Sequence, residues 1–435
     1  NLGYNKKFKK NNREITVLVQ LTPSGSRAPY FSSSFYPGTG SLYGEQNNNT
    51  VKNKEWTVQA DYSHPFNRDG NYILETGVKA ILRNVRNRYE VFTIENDQPP
   101  VPDADRSDLF TYRQYIGAAY ALFKAKWEQH WYAETGLRYE RTDIQGQFEQ
   151  KTAVIENQFD NLIPTLNLSK RLNEQHQLGL TYTQRITRPY IWDLNPNANA
   201  SDPKNIQTGN PELKPEMMYQ TELTYGLQIS TGYFINTALF WKRTSNAIVD
   251  FTEIVQQGIS ITRKENMASN SVYGLNMSAS VRPNAQWSIN GNLNLNYLNY
   301  TNNAWQVFNR GWASDVNVNT TCKLPRNYSL QLFGAYDTRK VTLQGYETPV
   351  YYYVLAVRKE LASPKIAITV TTTNPFSKYV RQTKYLSAPS FSTTAAQRDY
   401  LQGYRVTFNW EFGNNQKEKN IKKVKNDDVN NATKM

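Results

Sequence analysis

The chain has 435 residues, with 50 Lys and Arg against 37 Asp and Glu, for a net charge of +13. Thirty tyrosines coexist with a mean hydropathy of −0.70, and no apolar run approaches the ~18 residues of a membrane helix, so the pattern points to strands whose two faces differ. Cys322 alone makes no internal disulfide, and His64, His130 and His176 lack metal-ligand spacing. No apolar leader stands at Asn1, and the basic residues form no stripe of the kind nucleic acid requires.

In chain order the first strand signal is "REITVLVQL", with Ile15, Val17, Val19 and Leu21 on one face. A long connection is expected over about 22–54, where "RAPYFSSSFYPGTGSLYGEQNNN" sets Tyr30, Phe31, Phe35, Tyr36 and Tyr43 among Ser, Gly and Asn, a composition suited to adaptable recognition and equally to loop packing. "EWTVQADY" (Trp56, Val58, Ala60, Tyr62) returns as a strand, and "NRDGN" (67–71) reads as a tight turn.

"ETGVK" (75–79) and "ETGLR" (134–138) each put Glu, Gly and a basic residue on one face and Thr with Val or Leu on the other. Strand residues four apart lie roughly 13 Å apart, so these are no catalytic carboxylate pair, and the chain is not read as an enzyme. Further tight turns are expected near 10–13, 128–129, 173–175, 230–232, 283–285, 325–327 and 363–364. Between them lie long connections near 84–108, 143–160, 190–216, 243–258, 300–311, 339–349 and 376–400. "WSINGNLNLNY" sets Trp287, Ile289, Leu293, Leu295 and Tyr297 against a file of Ser and Asn, and "YRVTFNWEF" sets Tyr404, Val406, Phe408, Trp410 and Phe412 against Arg, Thr, Asn and Glu.

A soluble sandwich alternates in the same way. Strands of ~10 residues, aromatics at the ends of the apolar faces, and short turns opposite long loops favour an all-β, antiparallel transmembrane barrel in the outer membrane. About 17 strands are expected over 1–413, the first and last both descending. An even closed barrel then implies an odd number of strands upstream. Residues 414–435, rich in lysine, are expected to form a disordered basic periplasmic tail.

"TQRITRPYIWDLNPNANASDPKNIQTGNPELKPE" (183–216) resembles the signature of the outer-membrane β-barrel family of TonB-dependent receptors typical of Bacteroidetes-like bacteria. Arg188, Pro189, Leu194, Asn195, Pro196, Asp202, Pro203, Gly209, Asn210, Pro211, Leu213, Pro215 and Glu216 carry the likeness. "EWTVQADYSHPF", "ETGLRYE" and "YRVTFNWEFG" extend it.

The resemblance implies a barrel of about 22 strands, hence five upstream of these, with a plug and a TonB box further upstream still. It implies the plug and the TonB complex as partners; outer-membrane lipid, a surface lipoprotein and a nutrient such as a siderophore, oligosaccharide or peptide are the further partners expected. It implies no cofactor. The alternatives are a non-transporting barrel that recruits surface partners and a soluble adhesin.

Within the motif, Gly209 and Asn210 suit a turn needing positive φ, and Pro211 and Pro215 hold their predecessors extended. Glu216 is expected at the extracellular rim, paired with Arg188. Tyr190 and Trp192 join the aromatic candidates for ligand contact.

Overall fold

The computed structural model describes residues 1–412 except 9–12, 37, 39, 97, 151–153, 197, 200, 201, 203, 231, 256, 257, 303–306, 362–365, 389 and 390, and except the side chains of 34, 36, 41, 267 and 268. The tail expected from 414, the turn at 363–364 and Pro203 lie outside the described residues.

Eight strands open the fold: β1 (Leu2–Lys7), β2 (Glu14–Tyr36), β3 (Ser41–Pro65), β4 (Tyr72–Glu95), β5 (Val101–Trp127), β6 (Trp131–Phe148), β7 (Val154–Arg171) and β8 (His176–Thr187). A one-turn helix, α1 (Ile191–Leu194), and a short strand, β9 (Asn205–Thr208), come next. They lead into β10 (Glu216–Ser230), β11 (Tyr233–Ile254), β12 (Ser260–Val281), β13 (Trp287–Asn302), β14 (Val307–Leu324) and β15 (Tyr328–Asp337). The chain closes with β16 (Lys340–Thr342), β17 (Gly345–Glu347), β18 (Val350–Glu360), β19 (Ile366–Thr373), β20 (Val380–Ala388), β21 (Phe391–Asp399) and β22 (Gly403–Trp410).

Of the 18 strands in the large sheet, β9 is a loop segment and the other seventeen form one antiparallel wall. Consecutive wall strands pair; where small elements intervene, β8 pairs β10, β15 pairs β18 and β19 pairs β22. This is the all-β transmembrane architecture that the alternation demanded.

One end of the wall turns tightly. Residues with positive φ make the bends, Gly70 (67°), Glu128 and Gln129 (51° and 57°), and Arg326 and Asn327 (62° and 61°). The loops are short, three residues between the pairs Trp127–Trp131 and Leu324–Tyr328 and five between Phe66 and Tyr72, and positive φ lets so short a chain reverse.

The lipid face carries aromatics at both levels. Trp241, Tyr273, Tyr297 and Trp312 stand opposite one another in a single row across β11–β14. Trp287 marks the turn end of β13, and at the turn end of β5 and β6 Trp127 and Trp131 stack at 5.7 Å with Lys170 Nζ 4.7 Å over Trp131. Ten residues separate Trp287 from Tyr297 on one strand. At ~3.3 Å per residue and ~40° of tilt that spans ~25 Å, the height of an outer-membrane apolar band.

The inner face of the same strands is polar. Ser278 Oγ donates to Asn292 Oδ1 (2.8 Å) and Asn292 Nδ2 to Asn317 Oδ1 (3.0 Å), a ladder across β12–β14. Leu293→Arg, mid-band on the lipid face, should therefore destabilise the wall by about 2–4 kcal/mol, whereas Asn292→Arg should be tolerated. Refolding into lipid under urea measures both, and equal costs on the two faces would contradict this assignment.

Two expectations need correction. The stretches 22–54, 84–108 and 143–160 are not loops: β2 and β3 stay in register to Tyr36 opposite Ser41, and β4 pairs β3 up to Glu95 opposite Tyr43. The strands continue beyond the membrane as a ribbon because their backbones stay paired in register. Pro23 and Pro29 are admitted because β2 above Val19 pairs only with β3, leaving one side open for their ring nitrogens. In addition, the connections 339–349 and 376–400 fold into a separate four-stranded sheet, β16-β17-β20-β21.

Candidate functional site

The described residues of 190–216 turn inward and pack at the loop end of the barrel. Ile191, Leu194 and Leu213 are buried with Val51, Val85, Phe110, Tyr112, Ile144, Phe148 and Ile155 from the inner faces of β3–β7, and Trp192 packs against the same cluster. Leu194 and Leu213 are fully enclosed. The segment forms a small hydrophobic core inside the mouth of the barrel.

The motif residues are the joints of this brace. Gly209 N–H donates to Asn195 O (2.9 Å) and Asn210 N–H to Asp193 O (2.6 Å), closing the segment on itself. A Cβ at Gly209 would lie 2.3 Å from Asn195 O. Close backbone approach is therefore what requires glycine here, and neither Gly209 nor Asn210 has the expected positive φ. The Asn210 side chain starts an Asx turn by accepting from Glu212 N–H (3.0 Å), and its Nδ2 donates to Glu265 Oε2 (2.9 Å) on β12.

Pro196 O accepts from the Thr208 hydroxyl (3.0 Å), Pro211 O accepts from Asn157 Nδ2 (3.3 Å), and Pro189 and Pro215 are buried. β9 adds a parallel pairing to β12, Ser260–Arg263 against Asn205–Thr208. Burial pushes the Asp193 carboxyl above its ordinary range, with Lys264 opposing, while Asn205 and the Lys204 N–H hold Asp202 below it.

The expected Glu216–Arg188 pair is not formed. Arg188 Nη2 reaches Glu140 (2.5 Å) and its Nε the Thr142 hydroxyl (3.0 Å), all three buried on the inner face. Glu216 instead accepts from the Ile248 N–H (2.6 Å) and bonds Thr187. β10 and β8 place both residues at the rim, but Arg188 leaves the strand toward the interior, where burial demands a carboxylate.

The aromatic candidates divide into three groups. Tyr30 stands opposite Asn47 and Tyr43 lies on that same inward face. Phe31 and Phe35 occupy the outward face and are more than half exposed. Tyr36 continues the inward register, its side chain outside the described residues, while Tyr190 and Trp192 belong to the mouth.

Residues that the sequence did not single out complete the inward group. Asn47 Nδ2 donates to the Tyr89 hydroxyl and to Glu45 Oε1, both at 3.2 Å. The Glu45 side chain is fully buried, and Arg106 Nη2 pairs with it at 2.8 Å. Arg106 arrives there because β5 bulges: Tyr89 faces Asp108 but Val91 already faces Asp103, so 104–107 loop out of the ladder. Its Nε is buried and meets no acceptor among the described residues. Alternation across 41–55 could have shown which residues share this face, but with almost no apolar residue there to orient it, the pattern carried no direction.

An antiparallel wall with an apolar band between aromatic levels and a polar interior defines an outer-membrane β-barrel. The chain belongs to the outer membrane protein beta-barrel family, whose model matches residues 6–410.

Solved structures with a similar fold include the pyoverdine outer membrane receptor FpvA from Pseudomonas aeruginosa PAO1 bound to pyoverdine (TM-score 0.68, 12% identity, 94% of this chain and 60% of that one). The copper transporter OprC (0.64, 12%, 92% and 65%) and the ferric yersiniabactin uptake receptor FyuA from Yersinia pestis (0.55, 12%, 92% and 62%) are similar as well. The chain spans less than two thirds of the length of each. No curated protein sequence matches it.

Proposed function

We propose that this chain is the barrel portion of a TonB-dependent receptor that binds a scarce nutrient at its loop end and passes it to the periplasm. The observation that carries this is the inward cluster of Tyr30, Tyr43 and Tyr89 around the Glu45–Arg106 pair, with a spare buried donor at Arg106 Nε. Aromatic faces and a fixed polar pair above a braced mouth suit capture of a siderophore, oligosaccharide or peptide. By the rule that outer-membrane barrels turn short on the periplasmic side, the loop end is extracellular and the basic tail periplasmic. A plug, the TonB complex and a surface lipoprotein are the partners this reading requires, and the barrel performs no chemical step.

The test compares cells with and without the gene for growth on each of the three nutrient classes, before and after collapse of the proton-motive force. One class should be lost in both conditions, and Arg106→Ala with Tyr89→Ala should weaken its binding to the purified full-length receptor. Unchanged growth on every class would favour a barrel that only recruits surface partners.

A further inference from the structure

The small sheet β16-β17-β20-β21 sorts its charges by face. On one face Lys340 stands opposite Glu347 and Glu347 opposite Lys384, and Asp399 shares that side through its pairing with Val380, so the charges sum to zero. The other face carries Arg381 and Arg398 as direct cross-strand partners, with Arg339 stacked 4.7 Å over Tyr346 in the same file. Arg398 in turn lies 5.1 Å over Tyr379. Among the described residues no carboxylate comes within ion-pair reach of these three arginines.

Like charges directly opposite in a ladder have their Cβ atoms ~5 Å apart and destabilise it. A sheet needing only solubility would mix its signs, as the neutral face does. Two facing guanidiniums, both exposed, are instead the arrangement that grips a tetrahedral oxyanion through forked N–H donors.

The sheet is also anchored inside the mouth rather than on the lipid side. Leu343 packs with Ala247 and Tyr300 on the inner wall, and Gln344 exchanges hydrogen bonds with the Thr252 backbone at 3.1 and 3.2 Å.

We propose that this arginine face binds a soluble ligand bearing sulfate or phosphate groups, at a site separate from the Tyr30–Arg106 cluster and independent of transport. The probe is a fluorescein-labelled sulfated dextran oligosaccharide, with unsulfated dextran of equal length as the control, titrated into the full-length receptor in neutral detergent. The sulfated form should bind and the unsulfated form should not. Arg381→Gln with Arg398→Gln should weaken binding about tenfold or more, and Lys340→Gln with Lys384→Gln on the neutral face by less than about twofold.

Should the arginine double variant fold poorly, Arg398→Gln alone, at an exposed position of the edge strand β21, supplies the same comparison. Failure of the wild type to bind, or equal losses in the two double variants, overturns the proposal. Displacement of the probe by detergent-dispersed phosphatidylglycerol as readily as by free sulfated oligosaccharide would overturn it too, by assigning the face to lipid headgroups.

Discussion

Glu140→Ala is expected to loosen the mouth of the barrel by about 3–5 kcal/mol, the cost of removing one partner from a buried ion pair. The Arg188 and Glu140 side chains are 4% and 5% exposed at 2.5 Å, so removing the carboxylate takes this close ion pair away from an enclosed guanidinium. Arg188→Ala should cost less, because Glu140 keeps Arg138 Nε at 2.6 Å. The double variant should fall below the sum of the two by about 0.5–3 kcal/mol, as residues in contact do. Combining Glu216→Ala with Arg188→Ala should instead be additive within about 0.5 kcal/mol, since each side chain is held by other partners. Proteolysis of the 196–208 segment under increasing urea reads all of these, and coupling between Arg188 and Glu216 in place of Glu140 would refute the assignment.

Gly209→Ala should release the same segment by a different route, at about 3 kcal/mol, the upper end of overpacking costs. The atoms that a Cβ would strike are Asn195 O, C and N, all within 2.7 Å. Backbone cannot rotate aside as a side chain can, so the 195–209 closure must part, breaking the Gly209 and Asn210 bonds and uncovering Leu194 and Leu213. The barrel wall should be untouched. Heat-modifiable migration in detergent should therefore stay normal while the segment becomes cleavable; a variant as resistant as the wild type would show that the closure is not needed.

The wall was legible because period-two alternation of large aromatics against Asn, Ser and Thr is a direct image of lipid on one side and water on the other. Leu293 beside Asn292 decides a face without any knowledge of neighbours. Above the membrane that contrast vanishes: the run from Leu42 to Glu55 is largely polar on both sides, and only pairing with Arg83 and Arg106 reveals that Glu55 and Glu45 are buried. The motif at 183–216 was visible as a motif, yet its partners were not. Arg188 chose Glu140, some fifty residues upstream, through the curvature of the wall, which no local spacing encodes. The small sheet was hidden for a related reason, because β16 and β17 are three residues each and draw their stability from β20 across a long gap.

The core of the mouth also sets an order of events. It joins Val51 on β3 to Leu213, over a hundred and fifty residues later, and β9 of the same segment pairs with β12 beyond. Contacts of such separation become worthwhile only after the intervening hairpins have shortened the effective distance between them. The wall should accordingly zip up hairpin by hairpin first, with the brace the last element to seat. The assembling barrel would then pass through a state that is complete in outline but still unlatched at its outer opening.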